Sequence, residues 1–197
     1  MSQDRDLVIG WIAPATCSTL FAVSLTSALL DDRVRARLCR VVSVISGPLL
    51  SPSRTKVTDL FLQTDAQWLL MVDSDQVFTP ADILALLKAA DAEHRPIVGG
   101  LYTGSGQGLE TTQAPEGDYG AGFLLVHRRV FEHLAALHPR PLPWFQECVR
   151  DGEFYGEDTE FFQRAIDAGF RIHLHSGVRI GHVKAVVLRP EPKEDKP

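Results

Sequence analysis

Short apolar runs alternate with segments of helical period along this chain, and that alternation predicts its elements. Residues 7 to 13 read as a first buried strand, followed by a turn at Pro14, Ala15 and Thr16 and a helix from Ser18 to Leu30. Residues 40 to 46 are rich in β-branched side chains and stop at Gly47-Pro48, which predicts a second strand. A polar loop from Ser51 to Arg54 and a helix from Lys56 to Thr64 come next. The apolar run Trp68 to Val72 is the third strand. Thr79 is the N-cap of a well-signalled helix, with Pro80 at its first position, Asp82 in its first turn, and Ile83, Leu86, Leu87 and Ala90 on one face.

The second half continues the alternation. Strands are predicted at 96 to 102, at 120 to 126 and at 170 to 175, and helices at 130 to 137 and 158 to 168, the latter stopped by Gly169. Residues 103 to 118 have many glycines and no period, so they read as a long loop, uncommon unless it binds something or closes over a site. Pro139 to Pro143 break the chain, and the Pro-rich, charged residues 189 to 197 read as a disordered tail after a single domain over 1 to 188. Strands alternating with helices imply an α/β fold with a mostly parallel sheet, helices on both faces, and ligands at the carboxyl ends of the strands.

Composition narrows this picture only slightly. With 45% hydrophobic and 23% charged residues the chain is an ordinary globular protein, and a net charge of −5 gives no help to a nucleic-acid partner. No stretch reaches the ~20 apolar residues that span a bilayer and the first six residues lack the apolar core of a secretion signal, so a cytoplasmic location is expected. Cys17, Cys39 and Cys148 are odd in number and widely spaced, which suggests neither a disulfide framework nor a zinc site, and they read as small core residues.

Candidate chemistry lies where strands end. Asp73-Ser74-Asp75 follows the third strand directly, so two carboxylates at i and i+2 are delivered to one sheet edge, where they suit a hard cation; the alternative is a polar turn. The turn at Pro14 to Thr16 lies at a similar end, and a nucleoside resting there would extend its phosphates toward such a metal. Tyr155-Gly156-Glu157-Asp158 puts two acids at a helix start, with a plain N-cap at Asp158 as the alternative. His182 follows the final strand; His173 and His175 alternate on that strand without a third ligand nearby.

In this order the pieces resemble the GT-A glycosyltransferases, close to the inverting family 2 group and to small enzymes of this type in bacteriophages. The resemblance rests on the strand into Asp73-Ser74-Asp75, on Gly120-Ala121-Gly122 before residues 123 to 129, on residues 156 to 165, on residues 168 to 172 and on Gly181-His182-Val183, and it spans residues 7 to 186. It implies a metal-dependent enzyme that transfers a sugar from a nucleoside-diphosphate sugar, UDP- or GDP-linked, to an acceptor hydroxyl with inversion. Asp75 and Asp73 would hold Mn²⁺ or Mg²⁺ against the diphosphate with His182 as a further ligand, and Ser74 would lie beside them. Asp158 would be the base, with Glu157 as understudy. Pro14, Ala15 and Thr16 would contact the nucleoside, and Gly120, Ala121 and Gly122 would let the donor sugar approach. Arg54 would contact the base or a phosphate, unless it is a solvated surface charge.

Trp144, Phe145 and Tyr155 are candidates for an acceptor platform, or for core. The acceptor is open among a protein side chain, a glycan, a lipid-linked sugar and a modified nucleobase. Three other readings compete: a haloacid-dehalogenase-type phosphatase with Asp73 as nucleophile, a nucleotidyltransferase on a related sheet, whose usual Gly-rich first turn with Arg or Lys is not matched by Pro14-Ala15-Thr16, and a non-catalytic protein that binds nucleotide sugars or glycans.

Overall fold

The structure is a computed structural model that describes residues 5–14, 16–102 and 120–184. The loop expected at 103 to 118 and the tail expected at 189 to 197 lie outside the described residues.

In chain order the elements are β1 (Leu7–Ala13), α1 (Thr19–Leu30), α2 (Asp32–Arg37), β2 (Leu38–Ile45), α3 (Leu50–Leu62), β3 (Trp68–Asp73), β4 (Gln76–Val77) and α4 (Pro80–Ala89). Then follow β5 (Ile97–Leu101), β6 (Phe123–His127), α5 (Arg128–Leu137), β7 (Cys148–Arg150), β8 (Glu153–Tyr155), α6 (Glu157–Asp167), β9 (Ile172–Arg179) and β10 (Gly181–His182). Six strands form one sheet in the order β2-β1-β3-β6-β5-β9. Only β6 runs against its neighbours, so the sheet is mostly parallel, as the alternation of elements implies.

Why the central strands are apolar throughout is clear from where alternate residues go. Leu69 and Met71 of β3 enter one core with Val57 and Phe61 of α3, Phe131 of α5 and Phe161 of α6. Trp68, Leu70 and Val72 enter the other with Phe21 of α1 and Ile83 and Leu86 of α4. A strand covered by helices on both faces has no solvent face to keep polar. No described helix is long and apolar enough to cross a membrane.

Several expectations are corrected. Residues 51 to 54 are not a loop but the first turns of α3, and Ser51, Ser53, Arg54 and Thr55 are buried there. For two of them polarity signals contact with other polar groups inside the fold: Ser51 Oγ donates to Glu147 Oε2 at 2.6 Å, and Arg54 donates to Asp73 and Glu157. Pro52 is tolerated because the first turn has no intrahelical partner for its missing N–H. The short helix α2 was not expected; Asp31 caps it by accepting from the N–H groups of Arg33 and Val34, and it buries only Val34. The β7–β8 hairpin was also not expected, and its turn holds Asp151 at φ 52° and Gly152 at φ 84°. Cys17 and Cys39 are exposed and Cys148 is half-buried, so the cysteines are not core residues.

Other expectations hold. Ser18 caps α1 by accepting from Leu20 N–H. Asp82 of α4 accepts from the backbone N–H of Thr79 at 2.8 Å, the reciprocal half of a capping box. Gly169 closes α6 at φ 85°, a conformation that glycine adopts without a Cβ penalty.

Close packing of α3 on β1 rests on Gly10, where an added Cβ would lie 2.4 Å from Val57 Cγ1 and 3.0 Å from Leu69 Cδ1. Gly10→Val is expected to lower unfolding free energy by roughly 1–3 kcal/mol in urea titration. Gly47→Ala, whose Cβ meets nothing within 4 Å, is the neutral control.

Candidate functional site

Asp73 is the last residue of β3, and its backbone N–H donates to Gly122 O at 2.9 Å, which ties the strand end to the turn that enters β6. The chain then passes through Ser74 and Asp75 into β4, which pairs antiparallel with β10. Ser74 O accepts from Ser18 N–H at 3.2 Å, so the first βα loop lies directly beside the acidic pair. Asp75 O accepts from Val183 N–H at 2.8 Å. These bonds place Pro14, Thr16, Asp73, Ser74, Asp75 and His182 along one side of the sheet, at the carboxyl ends of β1 and β3; Ala15 lies outside the described residues.

Two separate pairings organise the carboxylates. His182 Nε2 lies 2.9 Å from Asp75 Oδ2, with the Asp75 side chain 43% exposed and that of His182 only 7%. The imidazole also meets the Tyr102 ring edge-on at 5.5 Å. Asp73 is engaged elsewhere: Arg54 Nη2 donates to its Oδ1 at 3.0 Å and its Oδ2 at 3.2 Å.

Arg54 is buried, which excludes the surface-charge reading. Its Nε donates to Glu157 Oε1 at 2.9 Å and its Nη1 to Ala121 O at 3.3 Å. One guanidinium thus joins the end of β3, the start of α6 and the Gly120–Gly122 turn. Burial by itself would lower the guanidinium pKa, but the carboxylates of Asp73, Glu157 and Asp158 outweigh it and hold the pKa above its ordinary value. Arg54 is therefore a permanent cation amid three acids.

Gly156, not Asp158, is the N-cap of α6, so the plain N-cap reading of Asp158 is replaced. Glu157 and Asp158 occupy the first turn, where the helix dipole favours negative charge. Asp158 is half-buried and its Oδ1 accepts from the N–H of Thr159 at 2.8 Å. Further along α6, buried Glu160 accepts from Arg164 Nε at 2.8 Å, from Arg150 Nη2 and from Cys148 Sγ at 3.2 Å, which clamps the β7–β8 hairpin to the helix. Burial, and then the Glu160 carboxylate, push the Cys148 thiol pKa up.

Gly120, Ala121 and Gly122 are buried. At Gly122 a Cβ would meet Tyr102 Oη at 2.8 Å, Asp73 Oδ2 at 3.0 Å and Gln76 Nε2 at 3.0 Å, so glycine here makes room for a ring of polar atoms. Its N–H donates to Tyr102 Oη at 3.0 Å. Tyr102 and Gln76 were missed in the sequence. Gln76 had one available signal, a polar residue directly after the acidic pair and before an apolar pair; Tyr102 had none beyond its place at a strand end. Trp144 and Phe145 are fully buried, and Trp144 Nε1 donates to Phe131 O at 2.7 Å, so they belong to the core and not to an acceptor platform. Tyr155 is half-buried at the end of β8.

A divalent cation needs oxygen or imidazole donors with a free side. Among the described residues no three His, Cys, Asp or Glu side chains form a ligand group. Asp75, with its side chain 43% exposed, could take one position on a Mg²⁺ or Mn²⁺ ion with His182 beside it, since such ions are held by one or two carboxylates and completed by water and phosphate oxygens. A second observation agrees with a polar ligand nearby: Gln76 Oε1 is buried with no hydrogen-bond partner among the described residues.

Removing Arg54 leaves Asp73 and Glu157 without their cation. Arg54→Met is expected to cost about 3–5 kcal/mol of stability in chemical denaturation, the magnitude for breaking a buried ion pair. In a Glu157→Gln background the same substitution is expected to cost less, and equal costs in the two backgrounds would show that the pair is not coupled.

No protein-family model matches this chain, and no curated protein matches it. Solved structures do. A crystal structure of A197 from STIV superposes with a TM-score of 0.56 at 19% identity, covering 90% of this chain and 86% of that one. A glycosyltransferase involved in the glycosylation of the major capsid of PBCV-1 gives 0.53 at 14% identity, covering 92% and 94%. S. aureus TarS gives 0.57 at 12% identity over 91% of this chain and 37% of TarS. With a six-stranded, mostly parallel sheet between two helical layers, the chain has the GT-A-like glycosyltransferase fold.

Proposed function

We propose that this protein is a metal-dependent glycosyltransferase that moves a sugar, with inversion, from a nucleoside-diphosphate sugar to an acceptor hydroxyl. The observation that carries this reading is the Arg54 bridge, which draws the Asp-Ser-Asp loop after β3 and the Glu-Asp pair of α6 into one site on a glycosyltransferase fold.

The roles follow from each group's partners. Asp75 and His182 would hold Mn²⁺ or Mg²⁺, and the ion would supply Lewis-acid stabilisation to the departing diphosphate. Asp158 is the base and Glu157 is not, because Glu157 is hydrogen-bonded to Arg54, while the hydrogen bond of the Asp158 side chain among the described residues is a local one, from the N–H of Thr159. In the transfer, the acceptor oxygen forms a bond to the anomeric carbon, the bond from that carbon to the diphosphate oxygen breaks with its electron pair, and the acceptor proton passes to the Asp158 carboxylate. Arg54 spends its donors on Asp73, Glu157 and Ala121 O, which makes it a positioning residue and not a contact to the base. The first loop, Pro14 to Thr16, would receive the nucleoside, and Gly122 would admit the donor sugar. Asp73, with both oxygens on Arg54, is badly disposed as the nucleophile of a phosphatase.

Assays with a panel of UDP- and GDP-sugars and Mn²⁺ are expected to release nucleoside diphosphate, and chelation by EDTA to stop it. A protein that melts higher with nucleotide and metal but never releases diphosphate would be a binder and not an enzyme.

Asp75→Ala is expected to abolish metal-dependent nucleotide binding in calorimetry. Asp158→Asn is expected to keep that binding and lose roughly 10²–10⁴ in turnover. Normal turnover in Asp158→Asn would remove the base assignment.

A further inference from the structure

At the amino ends of β5 and β9 the protein has a cavity of about 540 Å³. β3 and β5 both run antiparallel to β6, so this is the end of the sheet opposite Asp73 and Asp75. Helix α6 separates the two places: its first turn carries Glu157 and Asp158, and Ala168 and Gly169 beyond its last turn line the cavity. Eleven residues put these ends roughly 16 Å apart.

The lining combines two arginines, Arg129 and Arg171, with His94 and His133, one carboxylate, Glu93, and the apolar Pro96, Ala168 and Phe170. Arg129 is pre-positioned: its Nη1 donates to Ala92 O at 2.9 Å and its guanidinium lies over the Phe170 ring at 5.5 Å. The His133 ring meets Phe170 edge-on at 5.5 Å. Arg129 and Arg171 have no carboxylate at ion-pair distance among the described residues. Two guanidinium groups without a carboxylate partner, one of them over the Phe170 ring, in a cavity of the size that takes small molecules, match a doubly charged phosphate attached to a compact organic body.

We propose that this cavity is a second ligand site, which binds a small phosphate-bearing molecule with its phosphate on Arg129 and Arg171 and its body against Phe170 and Pro96. The site stands independently of the glycosyl-transfer reading.

The test is calorimetry on the full chain with α-D-glucose 1-phosphate as the probe and with glucose and sodium acetate as controls, using wild type, Arg171→Glu, Arg129→Gln and Asp75→Ala. Wild type and Asp75→Ala are expected to bind the sugar phosphate equally, the two arginine variants to bind it about tenfold more weakly or worse, and the controls to give no heat. The Arg171 side chain is exposed and makes no hydrogen bond among the described residues, so Arg171→Glu should melt as wild type does and decides the matter if Arg129→Gln fails to fold. Absence of binding in wild type, undiminished binding in Arg171→Glu, loss of binding in Asp75→Ala, or equal binding of acetate would each overturn the proposal.

Discussion

The candidate site depends on one buried guanidinium. Arg54 is almost entirely removed from water, a placement that costs several kcal/mol unless opposite charge and hydrogen bonds replace hydration. Asp73, Glu157 and the Ala121 carbonyl provide that replacement. Because the three partners come from β3, α6 and the turn before β6, the same contacts that keep the cation inside also fix the mutual positions of the site's walls. A lysine would present a point charge where this geometry requires a planar fork with donors in three directions.

Division of labour among the acids follows from that constraint. Asp73 and Glu157 neutralise Arg54 and hold the frame, whereas Asp75 and Asp158, two and one residues further along the chain, make no ion pair with it. The members of each motif differ in their partners: Asp73 and Glu157 are bound by Arg54, whereas Asp75 meets His182 and Asp158 accepts from the N–H of Thr159. Glu160 continues the pattern on α6 by binding the β7–β8 hairpin, so the segment that leads into Gly156 is anchored on both sides.

The order of strands and helices was legible because each central strand carries apolar residues on both faces and α1, α4 and α6 carry a cap or a stop. Trp68 to Val72, Thr79 with Asp82, and Gly169 are such signals. Errors arose where polarity was taken to mean solvent. Ser51 to Arg54 read as a loop because they are mostly polar, yet they lie within a helix, where Ser51 meets Glu147 and Arg54 meets Asp73 and Glu157. The cysteines were read as core because that is the usual fate of a free thiol, and two of them lie exposed on the surface. Trp144 and Phe145 were left open between platform and core, and complete burial places them in the core.

By itself the sequence determined the layered α/β architecture and the two acidic motifs at element ends, because local periodicity, capping and strand termination are written in neighbouring residues. Only the tertiary structure decided that Arg54 joins those motifs, that His182 meets Asp75, and that Tyr102 and Gln76 surround Gly122. Such contacts link residues far apart in the chain, and they are fixed by how α3, β3, β10 and α6 pack, for which no spacing in the sequence carries a signal.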